Sequence, residues 1–172
     1  MKFSKRNLIV PIQYNKFHIL IHWLVVLTIL LQMISGDKIA SEFLAHRNDP
    51  TANEGSTNNS QIHILGGLFI FLLMAIRVFL RIKFGVPVPT KETNSLLKLL
   101  SAFVHLGIYL VLFAIPLTGL AAFLTLNVDL GIAHKVLVNI LYVFVIVHLS
   151  GVAYHQIFLG DNIMQRITSW KS

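Results

Sequence analysis

Four of the eight histidines in this 172-residue chain, His22, His63, His134 and His148, lie inside or at the edge of long apolar stretches. An ionisable ring in lipid is costly unless something binds it. His134 and His148 are 14 residues apart on one such stretch. On an α-helix that spacing falls about 40° short of four turns and rises about 21 Å, so both rings share a face at opposite sides of an apolar layer about 30 Å thick. Two haems stacked across a membrane, each held by two neutral imidazoles, would suit them. Zinc and non-haem iron also take histidine, but such sites usually recruit carboxylates, which these stretches almost lack.

The elements that must position these rings are apolar helices. Hydrophobic residues make up 55% of the chain and charged residues only 12%, with mean hydropathy +0.73. That composition fits one integral-membrane domain spanning 1–172. Hydropathy predicts four spans at about 17–34, 62–82, 96–126 and 131–159, an all-α four-helix membrane bundle. The first span reads as a helix rather than a signal peptide. Its apolar run is long, it carries His22 and Gln32, and no small-residue cleavage site follows Gly36. Residues 36–61 read as a flexible polar loop, and Gly85-Val86-Pro87-Val88-Pro89 as a turn. With no cysteine, the chain can form no disulfide, thiolate-held iron–sulfur cluster, covalent c-type haem or thiol nucleophile.

The net charge of +7 is a matter of topology rather than of nucleic-acid binding, because the basic residues flank the apolar spans. Eleven of the fourteen fall on one side: Lys2, Lys5, Arg6, Lys16, Arg77, Arg81, Lys83, Lys91, Lys98, Arg166 and Lys171. Lys38, Arg47 and Lys135 fall on the other. The positive-inside rule then puts both termini in the cytoplasm. Depth follows from that orientation. His22 and His148 lie toward the cytoplasmic side, and His63 and His134 toward the outside. The rings pair by depth as His22 with His148 and His63 with His134.

Other residues compete for roles around these pairs. His155 shares a face with His148 and lies nearer the interface, so it suits a propionate, a quinone or plain interfacial water. His105 has a suitable depth and is the reserve ligand for the inner haem. His18 reads as too near water and His46 as a solvated loop residue. Gly66 and Gly67, one turn past His63, could admit a flat macrocycle or simply serve close helix packing. Arg77, on the face of His63 but near the inner side, could pair with a propionate or reach the headgroups. Arg81 follows one turn later, and Pro116 is expected to bend the third span.

These residues resemble the bacterial four-helix di-haem cytochrome b561 family over nearly the whole chain. The matching stretches are Ile21-His22-Trp23-Leu24, Ile62-His63 with Gly66, and Arg77-Val78-Phe79-Leu80-Arg81. They continue through Ile108-Tyr109-Leu110 and Pro116-Leu117-Thr118-Gly119-Leu120 to His134, His148, His155 and Gly160-Asp161-Asn162. The resemblance implies a multi-pass protein of the bacterial inner membrane with two b haems. His22 with His148, and His63 with His134, would ligate their irons. It also implies electron transfer with ubiquinone or another quinone. In the most similar members extracytoplasmic superoxide is the donor, an oxidoreductase activity. Related subunits are haem-bearing anchors and electron conduits for a partner dehydrogenase or hydrogenase.

This chain departs from the superoxide-oxidising members at the outer face. Its 126–130 connection is shorter and its 36–61 segment longer. Outside, Lys38, Arg47 and Lys135 face Asp37, Glu42, Asp49, Glu54 and Asp129, a net charge of −2 with the histidines neutral. Steering an anion needs local positive potential, and only Lys135, beside His134, is well placed to supply it. Three function classes therefore stand: a superoxide:quinone oxidoreductase or close relative, a conduit for a partner enzyme, and a metal transporter whose path is the histidines.

Overall fold

The computed structural model describes residues 14–49, 58–85 and 94–169, with the side chain of Asp37 left aside. Lys2, Lys5, Arg6, Glu54, Pro87, Pro89, Lys91 and Lys171 lie outside the described residues. Four long helices run in sequence: α1 Lys16–Asn48, α2 Asn58–Phe84, α3 Ser95–Thr125 and α4 Val128–Tyr154. A π-helical turn, His155–Leu159, ends α4, and a short α5, Ile163–Thr168, follows. Strands are absent among the described residues. Each of the four long helices carries an apolar stretch long enough to cross a bilayer.

Asparagine side chains cap the first turns of three helices. The Asn15 side chain accepts from the backbone N–H of His18, Asn94 from Leu96, and Asn127 from Asp129 and Leu130. Each satisfies a donor that the first turn would otherwise leave open, which matters most at a dry interface. Leu126 ends α3 in the left-handed region at φ 53°, and α4 starts two residues later. That tight reversal lays α4 directly against α3, and Gly107 leaves the space that the Phe144 ring occupies. Pro116 is buried within α3 without breaking it; three threonines, Thr28, Thr118 and Thr125, bond back to carbonyls of their own helices.

The expected first loop is corrected by the structure. α1 does not stop near Ile34 but continues to Asn48. Residues 37–48 are mostly fair helix formers, and the first proline after them is Pro50. The extension is held from above as well. Phe43 approaches Gly131 on α4, and the His46 ring stacks on Phe123 of α3 at 5.3 Å with planes 10° apart. His46 is therefore half-buried in a helix, not solvated in a loop.

The tightest packing joins α3 to α4, α1 to α2 and α2 to α3. α4 meets α1 and α2 only sparsely among the described residues. Its apolar length accordingly buries only Leu141. The shared core, built on Ile21, Val25, Ile70, Leu73, Met74, Val111 and Leu112, is small for four such helices. Many leucines and isoleucines face outward and are exposed, as bilayer-crossing helices of this composition require. α4 carries both His134 and His148. The two ends of the described chain lie together, tied where Trp23 Nε1 donates to the Ile167 carbonyl at 2.9 Å. That end is called the terminal end below.

Candidate haem sites

The outer site forms where α2, α3 and α4 meet at the end opposite the termini. The rings of His63 and His134 stand 6.3 Å apart, centre to centre, with planes 73° apart. An imidazole nitrogen binds a transition metal at about 2 Å and lies about 1 Å from its ring centre, so two rings sharing one metal stand about 6 Å apart. The observed separation matches that requirement.

Hydrogen bonding fixes which nitrogen each ring can offer. His134 Nδ1 lies 2.9 Å from the Ile115 carbonyl, which can only accept, so Nδ1 carries the proton and donates. Ser35 Oγ donates to the Gln32 carbonyl at 3.2 Å, leaving its lone pairs to accept from His63 Nδ1–H, also at 3.2 Å. Both rings are thus held by Nδ1 with the Nε2 lone pair free. Metal-bound histidines are commonly oriented this way. No three or more His, Asp or Glu side chains among the described residues are placed to hold a metal ion by themselves. Two free imidazoles suit a metal whose remaining ligands come from a macrocycle, and the residues fit haem b.

Two glycines shape this site. A Cβ on Gly119 would lie 2.8 Å from Nδ1 and 2.9 Å from Cε1 of His134, so the ring sits directly on the α3 backbone. At Gly66 the missing side chain leaves room that the Gln32 side-chain amide takes. Gly67 is more open, with Pro116 Cβ 3.9 Å from the place a Cβ would occupy. Of the two glycines singled out from sequence, Gly67 sits in ordinary contact with Pro116, and Gly66 makes room for a polar side chain of α1.

The inner site gathers three histidines rather than two. His22, His105 and His148 are electrostatic neighbours, with Arg77 among them. The His105 and His148 rings meet edge to face at 5.1 Å. His105 Nδ1 donates to the Ser101 carbonyl at 2.6 Å, which frees its Nε2 as in the outer rings. His22 is held differently. Arg77 Nη1 donates to His22 Nδ1 at 2.6 Å; a guanidinium has no acceptor, so the His22 proton sits on Nε2. For His22 to ligate through Nε2, Arg77 must release the ring, and a haem propionate is a natural new partner for it. Arg81 lies over the Tyr109 ring at 5.8 Å.

The terminal end adds polar groups below this cluster. His18 is buried, not water-exposed as its position suggested, with its ring between Tyr14 and Phe84 and Nε2 without a partner. Burial holds the Tyr14 phenol above its ordinary range, partly offset by Arg81 and Arg77, so it stays a neutral donor. His155 Nδ1 lies 2.7 Å from Asp161 Oδ2. Sequence reasoning did not assign roles to Ser35, Gln32, Ile115 or Asp161, and it quoted Gly119 only as part of a motif. Only the helix packing reveals what they touch.

Comparison with known proteins settles the family. The sequence profile of prokaryotic cytochrome b561 matches residues 13–170. The chain belongs to the prokaryotic cytochrome b561 family. A relative named cytochrome b562, from Cereibacter sphaeroides, is 24% identical over 154 residues, covering 90% of this chain and 94% of its own. Membership implies a multi-pass protein of the bacterial inner membrane with haem b and an electron-transfer role. Haem b, when bound, supplies one-electron redox chemistry; the protein supplies the ligands, their orientation and the surrounding polarity.

Proposed function

We propose that this cytochrome carries two b haems and passes electrons from a donor outside the membrane to quinone near the terminal end. His63 and His134 hold the outer haem, and His22 and His148 the inner one. Gly67 leaves room at the outer macrocycle. Arg77 and His155 serve the propionate and quinone side of the inner one. The observation that carries this reading is the outer pair: two rings at metal-sharing distance, both fixed by Nδ1 and both free at Nε2. A transporter path would not call for that shared orientation.

The 11 to 3 division of Lys and Arg supports a cytoplasmic terminal end. A reporter active only outside the cytoplasm, fused after Ser172, is then expected to stay silent and to light up when inserted near Ser56. The reverse pattern would invert the direction of electron flow.

Superoxide is the donor this reading favours, with Lys135 beside His134 guiding it to the outer haem. Superoxide is expected to reduce the purified protein, and Lys135→Glu to slow that step several-fold with a weaker salt dependence, because steering is a screened rate effect. Oxidation of the reduced protein by quinone should change little. One observation favours the second reading, a conduit for a partner dehydrogenase. The outer face is not predominantly basic, and the α1 extension with its Lys38, Glu42 and Arg47 presents a helical surface there. Protein that is inert to superoxide yet reduced by quinol or a partner enzyme would establish the conduit instead.

A further inference from the structure

Asp161 is 5% exposed, a carboxylate buried at the end of a membrane helix. A buried carboxylate is retained only where something compensates it. Oδ2 accepts from His155 Nδ1–H at 2.7 Å, while Oδ1 is buried and has no partner. The backbone is arranged to make this contact. α4 widens into the π-helical turn His155–Leu159, and Gly160 then takes the left-handed conformation at φ 61°. The N–H groups of Gly160 and Asp161 both return to the His155 carbonyl. The chain thereby doubles back and sets the carboxylate against the ring it has just passed. π-turns of this kind recur at functional sites. Asn162, also left-handed at φ 49°, starts α5, which Trp23 ties to α1.

The pair is asymmetric. The side chain of His155 keeps 17% exposure, whereas that of Asp161 keeps 2%. With Nδ1 committed to Asp161, Nε2 is the nitrogen of His155 left to exchange a proton. His155 follows His148 by seven residues, about 10 Å along the helix and close to the same face. The dyad therefore lies one short step beyond the inner histidine cluster, toward the interface.

We propose that His155 and Asp161 deliver a proton to the quinone, a role that rests on the quinone-reducing function above. Reduction of a quinone to a quinol takes two electrons, which arrive singly from a reduced b haem, and two protons. His155 gives one of them. Its Nε2–H bond breaks, an O–H bond forms at the nearer quinone oxygen, and water at the interface restores the proton to Nε2. The second proton comes from water directly. Asp161 is a positioning residue: it orients the ring through Nδ1 and balances the charge of the protonated imidazole.

The test uses the purified full-length protein with its haems reduced, mixed with a short-chain ubiquinone or with ferricyanide. Ferricyanide takes an electron and no proton. Haem oxidation by quinone is expected to slow about a hundredfold in His155→Gln, at the low end of general-acid contributions, and about tenfold in Asp161→Asn. Asp161→Glu should recover part of the rate. Oxidation by ferricyanide should match the wild type in all three. Wild-type oxidation by quinone should slow in deuterated water, whereas its oxidation by ferricyanide should not. Equal slowing with both oxidants would show a merely structural pair and overturn the proposal. So would a His155→Gln protein that quinone oxidises at the wild-type rate. Failure of the quinone reading looks different: wild-type protein would then react with ferricyanide and not with quinone, and the proposal would fall with it.

Discussion

Replacing His134 with alanine is expected to leave the purified protein with one haem per chain, against the two expected of the wild type. The same loss is expected for His63→Ala. On the proposed ligation each ring would hold the outer haem from one helix, and each is oriented by one Nδ1 hydrogen bond, to Ile115 or to Ser35. Gly119→Val should reach the same end without touching a ligand. Even a Cβ there would press on the His134 ring at 2.8 Å, and the ring cannot retreat without giving up the Ile115 carbonyl. Overpacking of this kind typically costs about 1–3 kcal/mol, enough to displace a ligand whose position is fixed by one hydrogen bond. Haem per protein, by extraction and absorbance, checks all three. A His134→Ala protein that keeps both haems with unchanged spectra would remove His134 from the site.

His148→Ala is expected to remove the other haem and leave the outer one intact. The inner site makes this series more informative, because three imidazoles converge there. If His22 is the partner of His148, His22→Ala removes the inner haem as well, and His105→Ala keeps it with at most a shifted spectrum. His105 already presents a free Nε2, whereas His22 must first be released by Arg77. Arg77→Leu should therefore preserve haem binding through His22 while altering the propionate environment. Retention of the inner haem in His22→Ala together with its loss in His105→Ala would exchange the two assignments. The haem count and the reduced-minus-oxidised spectrum distinguish these outcomes directly.

The four spans were legible because membrane helices announce themselves in runs of apolar residues, and the histidine positions within those runs carried the depth argument. The family resemblance named the same four rings. What was not legible depended on contacts distant in sequence. Nothing local marks Ser35 as a partner of His63, 28 residues away, or Ile115 as a partner of His134, 19 residues away. The continuation of α1 through Asn48 was hidden for a different reason. Its last three turns mix charged with apolar residues, so hydropathy saw a loop, while the backbone followed helix propensity and the packing of Phe43 and His46. His18 was misjudged by the same logic in reverse: its position near a helix end suggested water, but Tyr14 and Phe84 cover it. Asp161 lay in what read as a tail. Only a π-helical turn and the left-handed Gly160 bring it beneath His155, and such irregular backbone leaves little trace in a hydrophobic pattern.

The central claim is that one four-helix chain holds two b haems, each between two histidines. The most direct measurement is the haem-to-protein ratio of the purified chain, read together with its low-temperature electron paramagnetic resonance. The account predicts two b haems per chain and two low-spin ferric signals of bis-imidazole type. One haem per chain, none, or a high-spin iron with an open axial position would contradict it.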